Sequence, residues 1–210
     1  MTPQSPTATP SSPGVRPRGA SEALAELLQG NGRFVAGQPQ YGHEIAAAAA
    51  SSGGQQPYAV VVGCIDSRVP LEAVFDQNFG SICVVRSGAA VLDRAIAGSV
   101  EFAVQELGVP LVMVLGHERC GAISATVQSL RAGRKPRGSL GYLVHEIAPS
   151  VLAAGLDEPD VEARALRIHV QRTVELLKIE EGIKESLTAD PPVRVVGAVY
   201  DLDTGIVQLI

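Results

Sequence analysis

The chain has 210 residues, of which 46% are hydrophobic and 19% are charged, so it can bury a core and is not intrinsically disordered over most of its length. Its net charge of −5 argues against a dedicated nucleic-acid-binding protein, because such proteins usually carry a basic excess. No apolar run reaches the roughly 18 residues of a membrane span. The 3 cysteines cannot build a disulfide framework, so we expect a cytoplasmic protein without membrane or nucleic-acid partners.

The start of the chain differs in composition from the remainder. Residues 1–20 are rich in proline, serine and threonine and contain no apolar stretch, which predicts a disordered tail. Residues 21–210 are predicted to form a single domain. Ser21 is a candidate N-cap for a first helix with leucines at helical spacing, and Gly30 is predicted to end that helix.

Short apolar runs then alternate with longer helical patterns. Most of the runs are apolar throughout, which is typical of strands that are covered on both faces. Strands are predicted over residues 58–62, 82–85, 111–115, 193–200 and 206–210. Helices are predicted over residues 93–107, after residue 117, and over residues 161–187. This alternation predicts an α/β domain with a mostly parallel central sheet, about four parallel strands plus an antiparallel edge strand, flanked by helices.

Reactive side chains follow two of the predicted strands. Cys64 follows the first strand, and His117 and Cys120 follow the third. The carboxyl ends of neighbouring parallel strands meet at one edge of a sheet, where ligands usually bind. Each of these residues alone is more typical of a buried core position. Together, two thiolates and one imidazole form a donor set suited to Zn²⁺, and we predict a zinc site.

The neighbouring residues favour a catalytic site over a structural one. A structural zinc site is normally closed by four protein ligands, and Cys83 lies too early in its strand to be the fourth. Asp66 is the nearest candidate, and Arg68 can hold its carboxylate away from the metal through a bidentate pair. Zinc would then carry water whose pKa falls from about 15.7 to about 7, which gives hydroxide at neutral pH. The alternative interpretation of Asp66 and Arg68 is a surface ion pair.

The order and spacing of these residues resemble a known family. The pattern of Cys64, Asp66 and Arg68, followed by His117 and Cys120, is similar to the signature of the β-class carbonic anhydrases, and the similarity extends over most of the chain. The resemblance implies reversible hydration of CO₂ to bicarbonate and a proton by a zinc-bound hydroxide. It also implies one Zn²⁺ per subunit, with Cys64, His117 and Cys120 as its ligands.

The resemblance further implies a gated metal and a shared active site. In that family Asp66 would be a fourth ligand in a closed, low-pH form, and Arg68 would withdraw it in the active form. Gln55 matches the position whose amide helps to bind substrate from across a dimer interface. We therefore expect a homodimer or a tetramer.

Three more positions are assigned to the substrate pocket by the same resemblance. Phe102 would keep an apolar wall for CO₂, and Cys83 stands where an aromatic wall residue is common. Gly121 would let the backbone approach the reacting oxygen, unless it serves only a close helix–strand contact. The loop over residues 86–90 reads Arg-Ser-Gly-Ala-Ala and lacks two amides of the family pattern.

Two alternatives remain open from the sequence. One is a hydrolase of CS₂ or COS on the same fold and metal. The other is a catalytically silent zinc or bicarbonate-sensing protein, which the altered loop over residues 86–90 motivates. His43, His145 and His169 are assigned to surface or helix positions and not to the ligand set.

Overall fold

A computed structural model describes residues 16–210, and a five-stranded sheet forms its centre. The strands in chain order are β1 Ala59–Cys64, β2 Ile82–Ser87, β3 Leu111–His117, β4 Arg194–Tyr200 and β5 Val207–Leu209. They lie in the order β2-β1-β3-β4-β5, with the first four parallel and β5 antiparallel to β4. The predicted sheet is confirmed, and β1 and β3 run on to include the two donors that were expected to follow them.

Helices cover both faces of this sheet. They are α1 Ala20–Val35, α2 Ile45–Ala50, α3 Leu71–Val74, α4 Arg94–Gln105, α5 Gly121–Arg131, α6 Leu140–Ala154, α7 Val161–Ile179 and α8 Glu181–Lys184, with 3₁₀ turns over Gly88–Ala90 and Glu185–Leu187. The single helix predicted over residues 161–187 is wrong, because the backbone of Glu180 is extended and ends α7. None of the described helices combines the length and the apolar character needed to cross a membrane.

The burial of the strands explains why their sequences do not alternate between apolar and polar residues. Every residue of β1 and β3 is buried. Successive side chains point to opposite faces, so Val60 packs in the cluster that includes α4 to α7, whereas Val61 packs in the cluster that includes α1 and α3. The expectation of cover on both faces is wrong for β2, which is half-buried throughout because it is the edge strand.

The first helix departs from its prediction at both ends. It is preceded by Gly19, not capped by Ser21, and it continues through Gly30 to Val35. A Cβ at Gly30 would lie 1.8 Å from the carbonyl oxygen of Phe75, so this glycine permits a close approach and does not end the helix. Most of the predicted tail, residues 1–15, lies outside the described residues.

Candidate metal centre

Three side chains converge at the carboxyl edge of the sheet. Cys64 is the last residue of β1, His117 is the last residue of β3, and Cys120 directly precedes α5. β1 and β3 are parallel neighbours, so their ends lie side by side. The two sulfur atoms are 4.0 Å apart, and all three potential ligand atoms lie within 4.8 Å of one another. The structure brings together the three residues that the sequence assigned to zinc.

The His117 ring is oriented so that it can act as a metal ligand through Nε2. Its Nδ1–H donates to the Glu118 carbonyl oxygen at 2.9 Å, so Nε2 carries the lone pair. His117 is 1% exposed, and Nε2 has no hydrogen-bond partner among residues 16–210. A buried nitrogen acceptor without a partner is costly, and a metal ion would satisfy it. The residues present therefore fit a zinc ion.

The two thiols influence each other strongly. A hydrogen bond from Cys120, together with the adjacent His117 ring and a hydrogen bond from the Ala89 N–H, lowers the pKa of Cys64 despite its burial. The bond to the Cys64 thiolate and burial raise the pKa of Cys120. Ionisation of one thiol therefore opposes ionisation of the other. A dication would stabilise both thiolates, and its binding would release protons, as at thiolate metal sites in general.

The carboxylate of Asp66 is held by the guanidinium of Arg68. The Arg68 Nε donates to Oδ1 at 2.9 Å, and Nη2 donates to Oδ2 at 2.7 Å, which is a bidentate pair. The same guanidinium donates to the Arg119 carbonyl oxygen at 3.3 Å. The Arg68 pair holds the pKa of Asp66 far below its usual range. The Oδ2 atom of Asp66 lies 3.8 Å from the His117 Nε2, so this carboxylate borders the site in its ionised form.

Arg86 has a role that the sequence signals did not assign. Its Nε donates to the Cys64 carbonyl oxygen at 2.7 Å, and its Nη2 donates to the Asp66 carbonyl oxygen at 2.6 Å. It thereby fixes the backbone that carries Cys64 and Asp66. The available signal was its position at the start of the loop over residues 86–90, next to the carboxyl edge of the sheet.

The altered loop keeps a backbone contact with the site. Ala89 donates its N–H to the Cys64 sulfur at 3.3 Å. Ala89 and Ala90 both adopt left-handed backbone conformations, with φ angles of 54° and 57°. The side-chain amides missing from this loop are therefore not needed for its hydrogen bond to the thiolate.

A cavity of about 600 Å³ opens beside the donors. Its wall is largely apolar and includes Ile65, Ala122, Ala125, Pro136, Leu140, Leu143 and Val144, with Cys64, Asp66, Ser67, Arg68, Gly88 and Gly121 beside them. A Cβ added at Gly121 would meet no atom within 4 Å. The glycine is therefore not required by helix–strand packing, and it lies on the cavity.

The remaining pocket residues lie elsewhere in the chain. Gln55 is exposed beside Gly80, which precedes β2, and this is the opposite edge of the sheet. Phe102 is 55% exposed on α4. Cys83 is half-buried in β2, four residues before the register partner of Cys64 and so about 13 Å along the strand. The structure does not bring these three residues to the metal centre of their own chain.

A second cluster of potential metal ligands consists of three acidic residues. Glu118, Asp201 and Asp203 also lie within ligand distance of one another, but they are partly or largely exposed. Asp203 accepts a hydrogen bond from Arg119 at 2.7 Å, and Asp201 accepts bonds from backbone N–H groups. The carboxylates of Asp201 and Asp203 are thus satisfied by the protein itself.

The donor set and its surroundings define a class of protein. Two thiols and one imidazole, with no further cysteine or histidine in their group among the described residues, are typical of a catalytic zinc site with an open position. An ionised Asp–Arg pair and an apolar cavity adjoin that position. The fold and site fit an enzyme that would hold a zinc ion and act on a small substrate.

Comparisons with known proteins agree with this class. The sequence model of the carbonic anhydrase family matches residues 59–207. Carbonic anhydrase 2 of Mycobacterium tuberculosis is 40% identical over 194 residues, which cover 92% of each chain. A carbonic anhydrase of Mycolicibacterium smegmatis is 42% identical over 193 residues, which cover 89% of this chain and 91% of the relative.

The fold is likewise that of solved carbonic anhydrases. A crystal structure described as a tetrameric β-carbonic anhydrase of Sordaria macrospora aligns with a TM-score of 0.68 at 21% identity, covering 90% of this chain and 95% of the other. The chain belongs to the carbonic anhydrase family, in its β class.

Proposed function

We propose that this carbonic anhydrase hydrates CO₂ reversibly to bicarbonate and a proton, with one zinc ion per subunit held by Cys64, His117 and Cys120. The observation that carries the proposal is the convergence of these three donors within 4.8 Å beside an ionised Asp66. A bound zinc ion would supply the Lewis acidity that makes water a nucleophile at neutral pH.

Asp66 acts as a hydrogen-bond acceptor for the attacking water. Its two bonds from the Arg68 guanidinium fix the carboxylate, and its low pKa keeps it ionised, so it cannot donate. An acceptor at this place orients the nucleophile toward the cavity. The cost of ordering the reactants is then met before the reaction, which is a general source of rate enhancement.

The apolar wall selects the substrate. CO₂ has no hydrogen-bond donor and no net charge, so it enters a cavity lined by side chains such as Leu143 and Val144 without losing strong bonds to water. Bicarbonate is charged and binds such a wall poorly, which favours its release. Gly121 adds no side chain to the wall and leaves room beside the donors.

The active enzyme is proposed to be a homodimer or tetramer in which a neighbouring subunit completes the pocket. Gln55 and Phe102 are exposed and lie away from the metal donors of their own chain, so only a second copy can bring them to a site. The Sordaria relative is described as tetrameric. We also propose a cytoplasmic location, since thiol ligands persist in a reducing compartment.

Stopped-flow CO₂ hydration by the zinc-loaded protein tests this function. We expect catalysis well above the buffer rate, with sulfide release from CS₂ and COS near background. Rapid sulfide release with slow CO₂ hydration would replace the proposal by the CS₂ or COS hydrolase. Stoichiometric zinc without either activity would favour the silent or sensing protein.

A further inference from the structure

Gln55, which the proposed function assigns to substrate binding, lies on a segment without a core of its own. We call this segment, residues 38–56, the arm; it includes the helix α2. The structure describes every residue of the arm, and none of them is buried. Ile45 in α2 is 85% exposed. Because apolar burial does not fix the arm, its position depends on other contacts.

The start of the arm is held by a buried carboxylate. Asp76 is 2% exposed, and it accepts hydrogen bonds from the backbone N–H groups of Gln40 at 2.9 Å and Tyr41 at 3.1 Å. The Arg33 guanidinium, from α1, also donates to this carboxylate through Nε. Burial opposes ionisation of Asp76, but these hydrogen bonds lower its pKa, so it is an anion at neutral pH. Hydrogen bonds to an ionised acceptor are stronger than those between neutral groups.

Two further contacts with the arm come from the residues that follow this carboxylate. His43 donates from Nε2 to the Gln77 carbonyl oxygen at 3.0 Å. A Cβ added at Gly80 would lie 3.9 Å from the Gln55 Cα atom, so the two backbones pack against each other. Residues 76–81, which we call the platform, therefore contact the arm near its start and at Gln55 itself.

The platform is itself fixed to the sheet. Gln77 is 2% exposed; its side chain accepts a hydrogen bond from the Tyr58 hydroxyl and donates to the Phe75 carbonyl oxygen at 2.9 Å. The Tyr58 N–H donates to the Ser81 carbonyl oxygen at 2.9 Å, and Tyr58 directly precedes β1. Satisfied buried polar networks of this kind are rigid. The platform is therefore a firm support for an arm that has no core.

We propose that Asp76 is a positioning residue for substrate binding: braced by Arg33, its carboxylate fixes the start of the arm on the platform and so sets where Gln55 is presented to the neighbouring subunit. Asp76 acts on the substrate only through the arm. The effect on activity rests on the proposed role of Gln55, whereas the hold of Asp76 on the arm does not.

A double-mutant cycle tests the link between Asp76 and Gln55. Asp76→Asn keeps the size of the side chain and tolerates its left-handed φ of 45°, but it removes the charge and one acceptor oxygen. We expect kcat/KM for CO₂ to fall by up to about tenfold, the loss expected for Gln55→Ala, with zinc content and the oligomer unchanged. In the Gln55→Ala background, Asp76→Asn should lower kcat/KM by less than about twofold, because the arm then carries no amide to position.

Asn31→Ser is the matched control. Asn31 is also a buried polar residue of α1, but its side chain bonds to three backbone groups outside both the arm and the platform. Any fall in kcat/KM that its loss causes should be the same in the wild-type and Gln55→Ala backgrounds. Losses for Asp76→Asn that are likewise equal in the two backgrounds would overturn the proposal.

Amide exchange of the full-length protein separates this inference from the proposed function. Peptides containing residues 40–43 should exchange about tenfold faster in Asp76→Asn, while peptides from β1 should exchange as in wild type. Unchanged exchange of the arm in the folded variant would overturn the proposal. A Gln55→Ala enzyme as fast as wild type would instead contradict the proposed role of Gln55 and the effect on activity, and faster exchange would still support the hold on the arm.

A second variant covers the case in which Asp76→Asn does not fold. His43→Asn changes an exposed side chain, tolerates the left-handed φ of 55° and removes the Nε2 bond to the platform. It should accelerate exchange of the arm and lower kcat/KM to a smaller degree, with the same dependence on Gln55. Exchange and kcat/KM both equal to wild type would contradict the role of the platform.

Discussion

The carboxyl and amino edges of the sheet differ in how many of the proposed active-site residues one chain brings together there. At the carboxyl edge, β1, β2 and β3 bring together the metal donors, the Asp66–Arg68 pair and the bracing Arg86. At the amino edge lies the exposed Gln55, assigned to substrate binding but distant from these donors. In the proposed function, one chain therefore supplies all the metal donors, whereas a second chain completes the substrate pocket.

Among the variants that test this difference, loss of a metal donor should have the largest effect on zinc binding and activity. We predict that Cys120→Ala abolishes stoichiometric zinc binding and CO₂ hydration together, because only two donors remain. Metal analysis and stopped-flow hydration on the same sample measure both. The control is Cys83→Ala, which removes a half-buried thiol away from the site. Full zinc content in Cys120→Ala would show that the donor set is wrong.

Asp66→Asn should separate metal binding from catalysis. The asparagine amide is nearly the same size as the aspartate carboxylate, but it is neutral and attracts the Arg68 guanidinium less. Its NH₂ group can also donate a hydrogen bond where an acceptor is needed. We expect zinc content to stay stoichiometric while kcat/KM for CO₂ falls about 100-fold. Asp203→Asn is the matched control, because it breaks another Asp–Arg pair near the site but outside the cavity. A rate equal to wild type in Asp66→Asn would contradict the orienting role.

The stability of the folded protein should depend on pH through the buried His169. The pKa of His169 falls from 6.5 to about 4 in the folded state because the ring is buried. Below pH 6.5 the unfolded chain binds more protons than the folded one at this residue, so the free energy of unfolding falls as the pH falls toward 4.

Urea denaturation of the metal-free protein at pH 7 and pH 5 measures this linkage. In His169→Asn the loss between the two pH values should be smaller than in wild type by about 2 kcal/mol. His145→Asn, an exposed change on α6, should leave the loss unchanged. Equal losses in wild type and His169→Asn would mean that the ring is not buried in its neutral form.

The smallest effect is expected at the amino edge. Gln55→Ala should lower kcat/KM about tenfold through the loss of one hydrogen bond to substrate, with zinc content unchanged. Gln56→Ala alters the neighbouring exposed glutamine and should have no effect. The reduced rate should persist in dimers that sedimentation shows to be intact. A Gln55→Ala enzyme as fast as wild type would place the substrate amide elsewhere.

The metal donors could be predicted from sequence because strand ends are easily recognised. Fully apolar runs located β1 and β3, and parallel packing then required Cys64 and His117 to lie side by side. Arg86 could not be assigned, since its bonds to two carbonyl oxygens depend on how the chain folds back after β1.

Errors in the helices have a similar cause. Gly30 has low helix propensity, but its contact with Phe75 is a tertiary effect that no local pattern contains. The helix α6 was not predicted, and Pro149 interrupts its pattern. Gln55 and Phe102, which we propose reach the site from a second chain, can be assigned only through the family resemblance.

Zinc K-edge X-ray absorption of the purified enzyme at neutral pH tests the central claim most directly. The account predicts one zinc ion per chain with two sulfur neighbours at about 2.3 Å and a histidine nitrogen at about 2.0–2.1 Å, completed by one light atom. A zinc shell with no sulfur or only one, or a folded and active enzyme that holds no zinc, would contradict it.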